Sequence, residues 1–333
     1  MKIRKIGGGR YVCMAIAVVV VAALAFLVYT PRASSQDAAQ GAQPGQGAAP
    51  GGAPPARGGR GAGGGGFFTH AAQADYNDET GFTSLFDGST LNNWTSDGTH
   101  WSVKDGAIYA DSTCEHPTGT IYIYSDIGLA GDFDLKVRMK GTDVVNSGIQ
   151  YRSWLSEDLD SPHYLEPGRG PGGGRGAGGR GGFRGPTGNC PSGQPRGTPP
   201  DRASEAKYDM GGPQYDFDNG DHYPGQFYEQ STPRHIVAFP GEVVIENPGQ
   251  PKLLLTTLAD ADTLKTWFHP NDWNDEEVIA EGHTYLHFLN GHLICVFVDN
   301  DPLYFQKTGH IGFEIEATGE VFIKDIYLKK FSE

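Results

Sequence analysis

Two short segments carry side chains that can bind hydroxyl groups and move protons. They span residues 146–152, Asn-Ser-Gly-Ile-Gln-Tyr-Arg, and residues 212–218, Gly-Pro-Gln-Tyr-Asp-Phe-Asp. Both are typical of β-strands, in which successive side chains point to opposite faces. The polar faces then carry Asn146, Gln150 and Arg152 on the first segment, and Gln214, Asp216 and Asp218 on the second. Amide, guanidinium and carboxylate groups side by side predict a surface that binds a hydroxyl-rich ligand.

A third segment adds two carboxylates. Glu314 and Glu316 are two residues apart, so they share one face of a strand predicted over residues 310–316. Two carboxylates held close together raise the pKa of one of them, which suits a general acid or base near neutral pH. The alternative for the two glutamates is a solvated face. The alternative role for Arg152 and Asp216 is an ordinary cross-strand ion pair.

Three other residues are candidates for the same site. His287 precedes the Asn290-Gly291 turn and is a candidate base or acid, with a surface or packing role as the alternative. Tyr228 and Glu229 lie in a strand or turn that follows a glycine, and they can line the same cleft.

A calcium site is an open alternative at the end of the second segment. Residues 216–221, Asp-Phe-Asp-Asn-Gly-Asp, alternate oxygen-bearing side chains as calcium loops do. Asp216, Asp218 and Asp221 are the candidate ligands. The segment lacks the distal Glu and the flanking helices of the helix–loop–helix pattern, so the pattern alone does not assign Ca²⁺. The sequence indicates no other cofactor.

The overall charge restricts the class of partner. The 333 residues include 40 acidic and 26 basic side chains, for a formal net charge of -14. Such an excess of acid argues against nucleic-acid binding by the chain as a whole. The polar strand faces instead indicate an oligosaccharide or glycoside as partner.

The N-terminal 80 residues are predicted to lie outside the folded domain. Residues 1–35 combine a basic start with an apolar run over residues 11–29, which is typical of a secretory signal or of a retained membrane anchor. Either interpretation places the rest of the chain outside the cytoplasm, with membrane contact only through this segment. Residues 36–80 are rich in Ala, Gly and Pro and predict a disordered tether.

A second low-complexity segment, residues 167–200, is dense in Gly, Arg and Pro. It predicts a flexible loop insertion, with an adhesive arm for acidic polymers or RNA as the alternative. Cys13 lies inside the apolar run, so three cysteines remain and at most one disulfide forms among them. Cys114 with Cys190 is the favoured pair, since Cys295 lies in an apolar strand; three unpaired cysteines are the alternative.

The remaining pattern predicts an all-β fold over residues 81–333. Apolar and polar residues alternate over residues 101–109 and 132–140, and again in several segments after residue 253. Asp105-Gly106 and Asn290-Gly291 are typical two-residue hairpin turns. No segment is convincingly helical over three turns, so the chain is expected to form an antiparallel sandwich or barrel.

Short motifs from Phe82 onward occur in a recognisable order. They are Leu-Phe-Asp-Gly at 85–88, Trp-Ser-Val at 101–103, Gly-Asp-Phe-Asp-Leu at 131–135, Asn-Ser-Gly-Ile at 146–149, Gln-x-Asp at 214–216, Gly-Gln-Phe-Tyr-Glu at 225–229, Asp-Trp-Asn at 272–274, His-Phe-Leu-Asn-Gly at 287–291 and Gly-x-Ile-Gly at 309–312. In order and spacing they resemble the 3-keto-disaccharide hydrolase domain family. The resemblance covers residues 82–331 apart from the Gly/Arg insertion.

The resemblance implies a concanavalin-A-like jelly-roll sandwich of two antiparallel sheets, with a concave face for glycans. It also implies an exported bacterial protein that acts on glycosides oxidised at C3 of the sugar. One departure stands out. Where the family often has Gln and His, this chain has Glu314 and Glu316. Either Glu316 replaces that His as the base, or the reaction has been lost.

The implied reaction is elimination followed by hydration. A base removes the C2 proton, which the C3 carbonyl acidifies, and the enolate expels the oxygen on C1. Arg152 is the candidate for stabilising the enolate oxygen, and Asp216, Glu316 and His287 are the candidate bases or acids. The candidate substrate-binding residues are Asn146, Gln150, Gln214, Tyr228, Glu229 and Glu314.

Two other functions stay open at this point. The first is a non-catalytic carbohydrate-binding module tethered to the cell envelope, which the replacement by Glu316 favours. The second is a structural envelope component in which the Gly/Arg insertion supplies the contacts.

Overall fold

The computed structural model describes residues 75–155, 208–220, 222–316 and 318–331. These residues form strands and one short helix. The strands are β1 Thr83–Ser84, β2 Trp94–Thr95, β3 Trp101–Lys104, β4 Ala107–Ser112, β5 Ile121–Ser125, β6 Phe133–Gly141, β7 Asn146–Leu155, β8 Met210–Asp218, β9 Phe227–Gln230, β10 His235–Ala238, β11 Glu242–Glu246, β12 Leu253–Thr257, β13 Asn274–Glu281, β14 Thr284–Leu289, β15 His292–Asp299, β16 His310–Glu316 and β17 Gly319–Lys330. The helix, α1, spans Ala261–Lys265 between β12 and β13.

The strands form two sheets. The larger sheet has the order β12-β11-β15-β14-β13-β6-β17-β4-β3, with β1 beside β17. The smaller sheet has the order β10-β9-β8-β7-β16-β5-β2. Within the described ranges every neighbouring pair is antiparallel except β11 and β15, which are parallel.

Alternation along the strands explains why the two sheets pack together. In β6, Phe133, Leu135, Val137 and Met139 point to one face and are all fully buried. Their counterparts on the smaller sheet include Ile149, Tyr151, Tyr215 and Phe217, and both sets belong to one apolar cluster. Two sheets that bury facing apolar sides form a sandwich. The predicted all-β, two-sheet sandwich is therefore confirmed.

The two predicted hairpin turns are confirmed by their backbone angles. Asp105 and Gly106 have φ values of 52° and 76°, and Asn290 and Gly291 have 48° and 78°. Two consecutive residues with positive φ are what a type I′ turn requires, which is why Asp-Gly and Asn-Gly are favoured there. These turns join β3 to β4 and β14 to β15.

The ordered domain begins earlier than the sequence indicated. Residues 75–80 fall in the predicted tether, yet they pack against the larger sheet. The Lys136 ammonium donates hydrogen bonds to the carbonyl oxygens of Asp75, Tyr76 and Asp78. The Tyr76 hydroxyl donates to the Val137 carbonyl at 3.0 Å. This segment is therefore part of the domain.

Several other predictions fall partly or wholly outside the described residues. The signal or anchor segment 1–35 and the insertion 167–200 both lie there. Within the described ranges, no helix is long and apolar enough to cross a membrane. Cys114 is disulfide-bonded and Cys295 is free and buried. The predicted pairing of Cys114 with Cys190 requires a disulfide at Cys114, as observed. The other predicted partner, Cys190, lies outside the described residues.

A β-bulge interrupts β7 close to the polar segment. The register with β8 shifts between Gln150 and Trp154, and Arg152 within the shift has a φ of 46°. The bulge brings the β7 backbone against Gly309. A Cβ atom at Gly309 would lie 2.1 Å from the Arg152 carbonyl carbon and 2.4 Å from the Ser153 nitrogen. Only glycine fits at this position.

We expect Gly309→Ala to lower the free energy of unfolding by about 1–3 kcal/mol, because a methyl group there forces two backbone segments apart. Gly131→Ala is the matched control, since its Cβ would meet only Thr308 Cγ2 at 3.7 Å. Urea denaturation of both variants measures the difference. An equal loss of stability in the two would contradict the close approach.

Candidate active site

The polar side chains of the smaller sheet gather on the face that points away from the larger sheet. In the central strand β7, Gly148 lies opposite Glu314 of β16 on one side and Asp216 of β8 on the other. Two residues earlier in β7, Asn146 lies opposite Glu316 of β16 on one side and Asp218 of β8 on the other. We call this surface the acidic face; its residues are Asp216, Asp218, Glu314 and Glu316, with the amides Asn146, Gln150, Gln214 and Gln226.

Glu314 and Glu316 have both carboxylate oxygens hydrogen-bonded by other side chains. Tyr122 donates its hydroxyl to Glu314 Oε1 at 3.0 Å, and Gln214 Nε2 donates to Glu314 Oε2. Glu316 accepts from Asn146 Nδ2 at 2.6 Å and from the Thr120 hydroxyl at 2.7 Å. Their orientation is therefore fixed by the protein itself.

Asp216 is different, because one of its oxygens is left for a ligand. Gln226 Nε2 donates to Asp216 Oδ2. The hydrogen bonds among the described residues do not engage Oδ1. The Asp216 residue is nevertheless only 5% exposed. A buried carboxyl group with one unused oxygen is a suitable acid or base.

Gly148 of β7 makes room for the Gln214 side chain of β8. A Cβ atom there would lie 2.4 Å from Gln214 Nε2 and 2.8 Å from Gln214 Cγ. The Gln214 side chain therefore occupies the space above the glycine and crosses β7 to reach Glu314. The acidic face depends on a residue without a side chain at this point.

Burial in a group of like charges raises the pKa of these carboxyls. Burial raises the pKa of Asp216 to about 8, and the charges of Glu316 and Asp218 add to the effect while Gln226 opposes it. Burial, followed by the charges of Glu316 and Asp216, raises the pKa of Glu314 well above its ordinary range. Burial also raises the pKa of Glu316, against the hydrogen bonds from Thr120 and Asn146.

Three amide atoms on this face have no hydrogen-bond partner among the described residues. They are Gln150 Nε2, Asn146 Oδ1 and Gln226 Oε1. Gln150 and Gln226 are 0% and 2% exposed. Buried polar atoms are nearly always paired, so three unpaired ones on a single face indicate hydrogen bonds to a ligand or to water.

Tyrosines approach the same carboxyl groups. After burial, the charges of Asp216, Glu314 and Glu316 are the causes that raise the pKa of Tyr228, and they contribute at Tyr223 as well. Tyr228 lies opposite Gln214 across β8 and β9. The acidic face is thus bordered by phenol rings, of which the sequence indicated only Tyr228.

A scan against family models matches residues 81–329 to the 3-keto-alpha-glucoside-1,2-lyase-like domain. The chain belongs to this family. The resemblance in motif order is therefore confirmed, and the membership places the protein among carbohydrate-active proteins. No curated protein matches the chain.

Solved structures resemble the chain only distantly. A provisionally named glycosyl hydrolase from Parabacteroides distasonis is 16% identical, with a TM-score of 0.42 over 78% of this chain and 99% of that chain. A carbohydrate-binding module from Bacillus subtilis is 12% identical, with a TM-score of 0.38 over 72% and 96%. A galectin-like protein of unknown function from Bacillus subtilis is 11% identical, with a TM-score of 0.43 over 75% and 94%. Likenesses this distant assign no function.

Arg152 does not lie on the acidic face of this family member. Because of the bulge its guanidinium is fully buried and donates to the carbonyls of Gly131 at 2.8 Å and Gly282 at 2.8 Å. It also pairs with the Asp132 carboxylate at 2.5 Å. The prediction that Arg152 meets Asp216 is wrong, since the alternation from which it was drawn breaks within the bulge.

His287 lies in the core between the sheets. The Tyr151 hydroxyl donates to its Nε2 at 2.6 Å, and its Nδ1 donates to the Gly225 carbonyl at 3.0 Å. Burial lowers the pKa of His287 to about 3, so the ring is neutral. The position of His287 therefore agrees with the packing role that was the alternative to catalysis. Its side chain does not lie beside the carboxyl groups of the acidic face.

Glu229 also points away from the acidic face. It shares a side of β9 with the buried Phe227, opposite Tyr228. Its carboxylate pairs with Arg234, which also contacts Asp299 at 2.8 Å. The expectation that Glu229 lines the cleft beside Tyr228 is wrong, because consecutive strand residues face opposite ways.

The calcium alternative gains no support from the geometry. No group of three or more acidic, histidine or cysteine side chains is arranged to hold a metal within the described ranges. Asp218 accepts instead from the Gly220 nitrogen at 2.8 Å and from His222 Nδ1 at 2.6 Å. Asp221 lies outside the described residues.

Sequence reasoning also missed three residues that donate hydrogen bonds to the carboxyl groups of the site. Tyr122 carried a usable signal, since the Ile-Tyr-Ile-Tyr alternation at 121–124 puts it on the polar side of its strand. Thr120 precedes that strand and Gln226 precedes β9. Thr120 is two residues from Tyr122, so the same alternation reaches it, whereas Gln226 has no strand position from which its direction could be inferred.

The raised pKa of Asp216 makes stability depend on pH. The folded protein binds this proton with a pKa of about 8, whereas an ordinary Asp has 3.8, so the contribution is present at low pH and is lost as the pH rises through 8. We expect the free energy of unfolding to fall between pH 5 and pH 8, and Asp216→Asn to reduce that slope. Glu314 and Glu316 act in the same direction, so part of the slope remains.

Urea denaturation at several pH values measures this effect. Asp262→Asn is the control, because Asp262 is exposed in the first turn of α1. Identical slopes for the wild type and Asp216→Asn would contradict a buried proton on Asp216.

Proposed function

We propose that this domain cleaves the glycosidic bond of a sugar that carries a ketone at C3, with the acidic face as its active site. The observation that carries the proposal is Asp216. It is a buried carboxyl group with one oxygen unused among the described residues, a pKa of about 8, and a place in a domain of the keto-glucoside lyase-like family.

The first stage is an elimination. A base takes the proton on C2, and the electron pair of that bond moves towards the C3 carbonyl to form an enolate. When the carbonyl re-forms, a double bond forms between C1 and C2, and the bond from C1 to the leaving oxygen breaks. The leaving oxygen takes up a proton. Addition of water across the double bond then completes a net hydrolysis.

Asp216 is the proposed base. Its pKa of about 8 lies close to neutral pH, where a group can both accept and release a proton efficiently. Gln226 holds Oδ2, so Oδ1 is the oxygen that faces the substrate. This assigns the proton transfer to one atom.

Glu314 is the proposed source of enolate stabilisation, a role that Arg152 cannot fill from its buried position. Burial, followed by the charges of Glu316 and Asp216, raises the pKa of Glu314 well above its ordinary range, which favours the protonated form. A neutral carboxylic acid in a dry site can donate a hydrogen bond to a developing oxyanion. Gln214 and Tyr122 hold this group in position.

The unpaired amide atoms supply the binding contacts. Gln150 Nε2 offers a hydrogen-bond donor, and Asn146 Oδ1 and Gln226 Oε1 offer acceptors. A sugar presents both donors and acceptors, so it complements all three. Gln214 was predicted to bind substrate, but its bond to Glu314 supports a positioning role instead.

A non-catalytic glycan-binding module is the second candidate. It is favoured by Glu314 and Glu316, whose four carboxylate oxygens all accept hydrogen bonds within the protein. A 3-keto-glucoside with a chromogenic aglycone separates the two functions. Measurable sugar affinity without aglycone release would support the binding module and overturn the enzyme.

We expect Asp216→Asn to lower kcat/KM for that substrate on the order of 100- to 10,000-fold, the usual contribution of a general base. Since the ionised carboxylate is the active form, kcat/KM of the wild type should rise with pH and level off above pH 8. Asp262→Asn is the control and should keep both rate and profile. Retained activity in Asp216→Asn would remove Asp216 from the mechanism.

A further inference from the structure

The acidic face contains several carboxyl groups, and three of them have no paired cation among the described residues. Among the described residues, no Lys, Arg or His forms a salt bridge with Asp216, Glu314 or Glu316. The ion pair at this surface is that of His222 with Asp218, and the His222 side chain is 70% exposed at the margin. Within the described part of the chain, no ion pair therefore offsets the charge of the carboxyl groups at the centre of the face.

The buried arginines of the smaller sheet are directed elsewhere. Arg152 is bound by Asp132 and by backbone carbonyls. Arg234 is held by Glu229 and Asp299. Both guanidinium groups are already neutralised by carboxylates, so neither is available to an anion on the acidic face.

Two of the three unpaired amide atoms on this face are acceptor oxygens, and they provide independent evidence for the kind of ligand. Gln226, 2% exposed, donates its amide nitrogen to Asp216 and leaves Oε1 unpaired beside that carboxyl group. Asn146 donates its amide nitrogen to Glu316 and leaves Oδ1 unpaired. These oxygens accept hydrogen from a hydroxyl or an ammonium group. A carboxylate, phosphate or sulfate has no hydrogen to give them.

We propose that the acidic face selects its ligands by charge: it accepts glycosides that are neutral or carry an ammonium group, and it rejects those that carry a carboxylate, phosphate or sulfate. The inference rests on the proposed function and names its substrate class. Rejection comes from two sources together: an anionic ligand meets the ionised Asp216 carboxylate, which is the active form in the proposed reaction, and it leaves the acceptor oxygens unpaired. Like charges brought together in a dry site cost enough to lower affinity on the order of 100-fold.

The test compares three 3-keto-glycosides with one aglycone: the glucoside, the 2-amino-2-deoxyglucoside and the glucuronide. We expect kcat/KM for the first two to agree within about tenfold and that for the glucuronide to be lower on the order of 100-fold. Glu316→Gln removes one carboxyl group that can ionise, at nearly constant shape, so it should narrow the gap in kcat/KM between glucoside and glucuronide about tenfold. Glu281→Gln, exposed on β13 of the other sheet, is the control and should leave the ratio unchanged.

Calorimetric binding of the corresponding unoxidised glycosides keeps this inference separate from the proposed reaction. If no keto-glycoside is cleaved, the proposed function is overturned, while preferential binding of glucoside over glucuronide still supports charge selection. Equal kcat/KM or equal affinity for glucoside and glucuronide overturns charge selection and leaves the reaction standing. Absence of binding by all three glycosides overturns the assignment of this face to sugars altogether.

Discussion

The missing side chain at Gly148 is the constraint on which the acidic face depends. It leaves space above the middle of β7, and the Gln214 side chain fills that space to reach Glu314. Carboxyl groups from β16 and β8 therefore stand on either side of a bare backbone position. At a position so shielded from water, protonation of the carboxyl groups is favoured, because an isolated buried charge costs far more free energy than a neutral acid.

The sandwich core makes this arrangement possible. Each strand that contributes an acid also buries apolar residues on its opposite side, such as Ile149 on β7, Tyr215 and Phe217 on β8, and Phe313 and Ile315 on β16. These residues fix the backbone by packing against the larger sheet. A set of groups with raised pKa values is intrinsically destabilising at neutral pH, so it persists only on strands that the core holds rigidly.

Strand alternation predicted part of this site and failed at identifiable places. It correctly brought Asn146, Gln214, Asp216, Glu314 and Glu316 to one face, because β7, β8 and β16 are regular there. It failed at Arg152, since the bulge in β7 and its close contact with Gly309 are tertiary features that residue types alone do not reveal.

A second limit concerns which side of a sheet is buried. Alternation divides a strand into two faces but does not say which one meets the other sheet. His287 lies on the inward face of β14, and its polarity concealed that position until its partners Tyr151 and Gly225 were known. The two-sheet architecture was predictable because the alternation of apolar and polar residues recurs in many strands. The direction of a single polar side chain depends instead on its particular neighbours in the fold.

The interior position of His287 still connects it with the acidic face, through the backbone. Its Nδ1 binds the Gly225 carbonyl, and Gly225 immediately precedes Gln226, whose amide holds Asp216. The Gly225 nitrogen in turn donates to the Asp216 carbonyl at 2.8 Å. A neutral histidine with both ring nitrogens hydrogen-bonded thus holds, from the core side of the sheet, the turn that orients the proposed base. Its contribution to the site is positional, since a ring with both nitrogens engaged and a pKa of about 3 has no proton to exchange at neutral pH.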